Sequence, residues 1–243
     1  RLCLRHQWKI GFFSPENVPI AYHLRKLIEK LTAHRFQNGC GMTESLLARS
    51  EEFLTENVSH ISLKGDATPE RVIAKARELV VRRGCRIFVF DPFNRFDHDP
   101  KPGQSETQYL SNLLNKFTEF ATQNNCLLIV VAHPRKMNRN PATGVTPRVE
   151  MYDINGTADF YNKADYGIVV ERDKEIGITR VYVEKVKFKH LGTGGVAAFV
   201  YDPVSGRYLP CEESHDPAVP VDQRARNTVF DNSCWLPEKE LFE

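Results

Sequence analysis

Three residues suited to hydrolytic chemistry follow apolar segments of the chain. Glu16 comes shortly after KIGFF, Asp91 directly follows RIFVF, and His133 ends LLIVVAH. A carboxylate in such a place can orient a water molecule or hold Mg²⁺, which proteins often bind through only one or two carboxylates. A histidine on a neighbouring strand can contact a phosphate group. These residue types predict a site for phosphate chemistry.

The apolar segments have the pattern of buried strands, and amphipathic helices separate them. We predict strands at 9–13, 60–63, 86–91, 127–133, 166–171, 179–187 and 196–201, and helices at 17–34, 43–57, 68–83, 105–123 and 155–163. This alternation predicts an α/β fold, with a mainly parallel twisted sheet covered by helices on both faces. Short turns between the last strands predict an antiparallel extension at one edge. Ligands of parallel sheets bind at the carboxyl ends of the strands, so Glu16, Asp91 and His133 should lie close together.

The composition bounds the class of protein. The 243 residues include 41% hydrophobic and 26% charged residues, which excludes wholesale disorder. The net charge of +2 is too small to indicate nucleic-acid binding by itself. No apolar run approaches the roughly 18–20 residues of a membrane span, so no membrane association is expected. The six cysteines lack CxxC spacing and no secretory signal is evident, which favours a cytoplasmic location.

The chain divides into two parts by composition. Residues 1–211 carry the alternating pattern and are predicted to form one domain. Residues 212–243 are polar, proline-rich and aperiodic, and we expect them to form a tail in which Trp235 docks to a partner.

A basic segment follows His133. Residues 134–150 contain four basic side chains and a single acid, and the basic residues are Arg135, Lys136, Arg139 and Arg148. Such a loop can track a nucleic-acid backbone through salt-sensitive contacts. Composition alone is equally compatible with an ordinary solvated loop.

A second chemical interpretation concerns the segment after Asp91. Asp97, His98 and Asp99 together could form a hydrolytic metal site. The alternative is an exposed polar loop, which the neighbouring Pro100, Lys101 and following residues favour.

Five segments resemble, in order, the motifs of a known family. FFSPEN, IFVFD, VVAHPRK, NGTADFYNKADYGIVVERD and VEKVKFKHLGTGG are similar to motifs of the RecA-like motor domain of DnaB/Twinkle-type replicative DNA helicases, over Trp8 to Tyr201. The resemblance implies a RecA-like P-loop NTPase core that uses ATP and Mg²⁺. It also implies a hexameric ring that translocates on single-stranded DNA, with a primase domain or a primase partner.

The resemblance assigns roles to the residues at the strand ends. Glu16 matches the general base that activates water, and Asp91 matches the Walker B acid that binds Mg²⁺. His133 falls where the family senses the γ-phosphate.

Other matched residues lie in the last third of the chain. Asn162 and Asp165 fall at positions of the nucleotide site in the family, and Lys185 and Lys187 match a Lys-x-Arg pair that reaches a neighbouring subunit's nucleotide. Here a lysine replaces the arginine finger, so that a point charge stands in place of a bidentate fork, and Lys189 is a candidate to share the task.

The phosphate-binding loop of this family is missing from the sequence. No GxxxxGK[ST] occurs, and the glycine cluster at 192–195 lacks the lysine. In the family this loop precedes the strand matched by 9–13, so we expect a C-terminal fragment of a helicase with little or no activity of its own. A RecA-type recombinase, another RecA-like ATPase and a non-catalytic nucleic-acid or protein-binding module remain alternatives.

Overall fold

A computed structural model describes residues 2–37, 39–139 and 146–211 of the chain. In these residues the strands form two four-stranded sheets, a parallel one of order β2-β1-β3-β4 and an antiparallel one of order β5-β6-β7-β8. The predicted α/β fold with a parallel sheet is confirmed. The antiparallel strands make their own sheet, and no strand ladder joins it to the first within the described ranges. Trp235 and the predicted tail lie outside them.

The strands and helices have the following bounds. The strands are β1 Lys9–Phe13, β2 Val58–His60, β3 Cys85–Phe90, β4 Leu127–Val130, β5 Tyr166–Arg172, β6 Ile178–Val186, β7 Gly195–Tyr201 and β8 Tyr208–Pro210. The helices are α1 Leu2–His6, α2 Ile20–Thr32, α3 Glu44–Asn57, α4 Pro69–Arg83, α5 Glu106–Gln123 and α6 Asp159–Lys163. None of the helices in the described part of the chain is long and apolar enough to cross a bilayer.

The helix termini follow from local side-chain chemistry. The Thr43 hydroxyl accepts a hydrogen bond from the Leu46 amide, and Ser105 forms a capping box with Gln108. Gly84 ends α4 in the left-handed conformation, at φ 68°. Helix α2 begins three residues later than its apolar pattern predicts, because the backbone of Pro19 is extended and precedes the first helical residue.

Strand lengths differ more from the prediction, because the neighbouring strand decides them. β2 lies at 58–60 rather than 60–63, since Ile10 pairs with Val58 and Phe12 with His60. β4 ends at Val130, where the ladder with β3 ends, so His133 lies beyond the strand in a loop. β8 was not predicted at all and pairs with β7.

Helices cover both faces of the parallel sheet, as predicted. On one face, Phe88 packs against Phe120 of α5 with ring centroids 5.3 Å apart, and Phe90 packs against Phe117 at 5.4 Å. Phe88 and Phe90 are fully buried, and complete burial of such a side chain contributes about 1.5–3 kcal/mol relative to exposure. On the other face, Phe12 contacts His23 of α2 at 4.8 Å. The parallel sheet is therefore a rigid support for the loops at its carboxyl edge.

Candidate functional site

The loops after β1, β3 and β4 meet at the carboxyl edge of the parallel sheet. The Asp91 amide donates to the Phe13 carbonyl over 2.9 Å, and the Phe93 amide donates to the Val131 carbonyl over 2.7 Å. These bonds continue the strand ladder beyond the last paired residues. Glu16, Asp91 and His133 therefore follow three neighbouring strands, which is the predicted juxtaposition. Their catalytic roles remain predictions.

Glu16 has a partner that the sequence did not predict. Its carboxylate accepts a hydrogen bond from Nε of Arg95 over 2.8 Å, and both side chains are about half exposed. Arg95 lies only four residues after Asp91, so the position of that acid was the available signal. The guanidinium orients the carboxylate, and any water that Glu16 activates must share or replace this bond.

Asp91 is the acid placed to bind a metal. It is half-buried and directly follows β3. In the described residues no three histidine, cysteine or acidic side chains form a group that could hold a metal ion. The donor set therefore fits Mg²⁺ only in the manner of nucleotide sites, in which phosphate oxygens and water complete the octahedron around one or two carboxylates.

The alternative metal site at Asp97, His98 and Asp99 is not supported. The Asp97 carboxylate accepts a hydrogen bond from the Ala67 amide. The His98 ring packs against Phe93 at 5.2 Å, and burial lowers the pKa of its imidazole. These contacts fasten the loop to α4 and the core instead of grouping the three side chains around an ion.

The residues matched to the trans-acting pair lie together on the antiparallel sheet. Nζ of Lys185 donates to the carbonyls of Tyr161 and Asn162, over 2.5 and 3.0 Å. Nζ of Lys187 donates to Oδ1 of Asp165 over 2.7 Å, in a pair about half exposed to solvent. Lys185 thus holds the end of α6, whereas Lys187 has a partner that it can exchange. Both lie on a different sheet from Glu16, Asp91 and His133.

The other predicted nucleotide-site residues have less defined settings. Lys189 is exposed in a 3₁₀ turn just after β6. The side-chain amide of Asn162 donates to Asp159 over 3.3 Å within α6. Neither contact by itself indicates a phosphate site.

The basic loop is tied to the protein at its two ends, which we call the loop stem (133–135 and 148–154). Pro134 forms an isolated antiparallel bridge with Ile154, and Arg135 forms an ion pair with Asp153 at 2.9 Å. Arg148 donates to Glu184 of β6 over 2.6 Å. Residues 140–145 lie outside the described ranges. Lys136 and Arg139 are exposed between the two ends.

Glu184 is the second functional candidate that the sequence did not reveal. It is mostly buried, accepts from Arg148, and also accepts from the Met151 amide over 2.8 Å. It is an acid on an alternating strand among basic residues, which was a weak signal at best. It connects β6, the strand of Lys185 and Lys187, to the stem of the basic loop.

Comparison with curated proteins decides the relationship. The chain is 33% identical over 214 residues to a Twinkle homologue of Arabidopsis thaliana described as chloroplastic/mitochondrial. This chain is related to Twinkle. The match covers 83% of the chain but 30% of the Twinkle homologue, so the chain spans about a third of its relative. No protein-family profile matches the chain. The resemblance found in the motifs is confirmed.

Solved structures show the same fold in helicase domains. The ATPase domain of a DnaB-like helicase, solved on its own, has a TM-score of 0.68 at 14% identity, over 86% of this chain and 76% of that one. A DnaB-like replicative helicase, solved for its interactions with primase, has a TM-score of 0.66 at 15% identity, over 86% and 52%. The RadB recombinase has a TM-score of 0.57 at 15% identity, over 86% and 81%. The RecA-like fold of this Twinkle relative is thereby shown.

Proposed function

We propose that the chain forms the greater part of the RecA-like motor domain of an NTP-driven replicative DNA helicase, which couples ATP hydrolysis to translocation on single-stranded DNA. The observation that carries this proposal is the placement of Glu16, Asp91 and His133 after three neighbouring parallel strands. The relationship to Twinkle supports it, because the same residues match the family motifs in order.

In this proposal each residue at the sheet edge has one task. Glu16 accepts a proton from the attacking water, and Arg95 holds its carboxylate in position until that water binds. Asp91 holds Mg²⁺ through water, and bound Mg²⁺ neutralises charge on the β- and γ-phosphates of ATP. His133 contacts the γ-phosphate side of the site and links it to the basic loop, which begins at the next residue.

Phosphate binding needs a further segment. The 243 residues contain no GxxxxGK[ST], so the backbone amides and the lysine that cradle phosphates in this family are not supplied by the chain. We therefore expect the chain alone to hydrolyse little ATP, whatever the activity of the protein that contains it.

The remaining parts of the motor are assigned by the same proposal. Lys187 exchanges Asp165 for the nucleotide of a neighbouring subunit in a hexameric ring, while Asn162 and Lys189 line that site. Arg135, Lys136, Arg139 and Arg148 belong to the loop that faces single-stranded DNA, with Lys136 and Arg139 as its exposed phosphate contacts. A primase domain or a separate primase is the proposed partner.

The test compares three proteins for DNA-stimulated ATPase activity. The gene product that contains this chain and a GxxxxGK[ST] segment should hydrolyse ATP, and its Glu16→Gln variant should lose at least about 100-fold in kcat with little change in nucleotide affinity. The 243-residue chain should show almost no turnover. Robust turnover by the chain, or normal turnover by the Glu16→Gln variant, would contradict the proposal.

Two alternatives have observations of their own. The likeness to the RadB recombinase keeps a RecA-type recombinase or another RecA-like ATPase open, and strand exchange without unwinding by the parent protein would favour it. The absence of GxxxxGK[ST] from the sequence keeps a non-catalytic binding module open. DNA binding without ATPase activity in the complete gene product would favour the module.

The location is a separate proposal. We retain the cytoplasm as the expectation, whereas the name of the Arabidopsis relative places that protein in chloroplasts and mitochondria. Imaging of the tagged gene product alongside organelle markers tests the expectation, and co-localisation with either organelle would overturn it.

A further inference from the structure

An exposed aromatic ring sits in the stem of the basic loop. Tyr152 is 55% exposed, although it belongs to the short 3₁₀ turn Met151–Asp153 that packs against the antiparallel sheet. Its ring stacks on that of Tyr161, with centroids 4.5 Å apart and planes inclined by 26°. Since a stacked partner covers one side of the ring, the exposed area belongs largely to the other side and the edge.

The turn that carries Tyr152 is held on both sides. The preceding amide, of Met151, donates to Glu184 over 2.8 Å, and the Met151 side chain is buried against Gly167 of β5. The following residue, Asp153, accepts from the Glu150 amide over 2.9 Å and from Arg135. The ring is therefore positioned in advance, and a ligand that stacks on it loses little ordering entropy.

The charges around the ring separate stacking from phosphate binding. At the stem, Arg135 pairs with Asp153 and Arg148 pairs with Glu184, so these charges are balanced within the protein. The exposed Lys136 and Arg139 lie farther along the loop. A strand whose phosphates follow Lys136 and Arg139 would bring its bases, which are neutral, towards the neutral stem.

We infer that Tyr152, backed by Tyr161, is a stacking platform for an unpaired nucleobase of single-stranded DNA. This inference rests on the proposed function of the basic loop and adds a base contact to it. Base–aromatic stacking contributes independently of sequence because every base has a π-face, and it requires an unpaired base because a duplex keeps its bases stacked on one another.

The test measures binding of fluorescently labelled oligothymidylate to the 243-residue chain by anisotropy. Tyr152→Ala should weaken binding about 5- to 100-fold, whereas Tyr152→Phe, which keeps the ring, should bind as the wild type does. Tyr152→Leu, which stays apolar but has no π-face, should behave like Tyr152→Ala. The slope of log affinity against log salt should not change, because no phosphate contact is lost.

Three controls make the outcome specific. Tyr22→Ala removes a similarly exposed tyrosine on α2, far along the chain from the loop, and should have no effect. Duplex DNA and an abasic strand of the same length should bind Tyr152→Ala and wild type equally. Hydrogen exchange at the Met151 amide should stay slow in Tyr152→Ala, which shows that the stem is intact.

The two proposals fail in different ways. If the wild-type chain does not bind single-stranded DNA, or if Lys136→Ala with Arg139→Ala leaves affinity unchanged, the assignment of the loop to DNA is overturned and the platform with it. If the wild type binds and the lysine and arginine variants weaken binding, but Tyr152→Ala binds normally, only the platform is overturned. An equal loss on the abasic strand would likewise overturn it and would assign Tyr152 to loop order.

Discussion

Lys185 and Lys187 are two residues apart, at the end of β6 and just beyond it, but they have different partners. Lys185 satisfies two carbonyls at the end of α6 and lies over the Tyr161 ring, with Nζ 4.8 Å from its centroid. Lys187 makes a half-exposed ion pair with Asp165. The first arrangement supports the fold, and the second can be given up when another anion approaches.

These environments predict opposite effects of two similar substitutions. Lys185→Ala should lower the free energy of unfolding of the chain by about 1 kcal/mol or more, because two carbonyls lose their donor. Lys187→Ala should change it by less than about 1 kcal/mol, as expected for an exposed ion pair. Urea unfolding followed by circular dichroism measures both, with Lys189→Ala as the control. Equal losses in the two variants would contradict this distinction.

A pair of histidines connects α2 to the parallel sheet. Nδ1 of His23 lies 2.9 Å from Nε2 of His60, and both rings contact Phe12. Burial, the neighbouring His60 and then Lys26 and Lys30 lower the pKa of His23 to about 4. Burial also lowers the pKa of His60. Protonation of the pair therefore opposes the packing of α2.

This pair predicts that the chain is destabilised by acid. Between pH 6.5 and about 4 the unfolded state binds a proton at His23 and the folded state does not, so the free energy of unfolding falls as the pH falls. The loss from His23 should approach about 3 kcal/mol near pH 4 and then level off. Urea unfolding across this range should show a shallower dependence in His23→Gln, and the wild-type dependence in His190→Asn, where the replaced ring is exposed. An unchanged slope in His23→Gln would refute the assignment.

At the scale of elements, the contact between the loop stem and β5 depends on one glycine. A Cβ at Gly167 would coincide with Sδ of Met151, which is buried against that strand. The stem, α6 and the antiparallel sheet are therefore packed through a position that tolerates no side chain.

Gly167→Ala should consequently destabilise the chain by about 1–3 kcal/mol through overpacking. Combining it with Met151→Ala should cost less than the sum of the single changes, because the second change removes the clash. Thermal unfolding of the four proteins of this cycle provides the measurement. Strict additivity would show that the two residues do not interact in solution.

At the scale of the whole molecule, two strand edges and their apolar side chains are uncovered. In the described residues β4 pairs only with β3, and β5 only with β6. Large apolar side chains are exposed along both strands, and these are Leu127, Ile129, Tyr166, Ile168 and Val170. Unpaired edges that carry apolar residues favour pairing with another chain.

We therefore expect the 243-residue chain to self-associate through these strands. Sedimentation velocity over a series of concentrations should show oligomers of the wild type, and Ile129→Lys with Ile168→Lys should remain monomeric at the same concentrations. Val81→Lys is the matched control, because Val81 is a highly exposed residue on α4, away from both edges. A monomeric wild type, or a control that is equally monomeric, would count against this expectation.

Much of the parallel sheet and its covering helices could be predicted because their signals are local. The capping residues Thr43 and Ser105 and the terminating Gly84 act on neighbouring amides and carbonyls, so the helices they bound were predicted to within a residue or so. The apolar segments before Glu16, Asp91 and His133 determined three strands. The geometry of parallel sheets then placed these residues at one edge.

Tertiary structure alone decided the features that join residues distant in sequence. Strand pairing set the lengths of β2 and β4, created β8 and left the antiparallel strands as a separate sheet, because a ladder ends where its neighbour diverges. Arg95 meets Glu16 across 79 positions, and Glu184 meets Met151 across 33. The sequence thus determined which chemical groups stand at the sheet edge, since local periodicity encodes them. Only packing decided which partners hold those groups, since partner choice depends on contacts that no local pattern records.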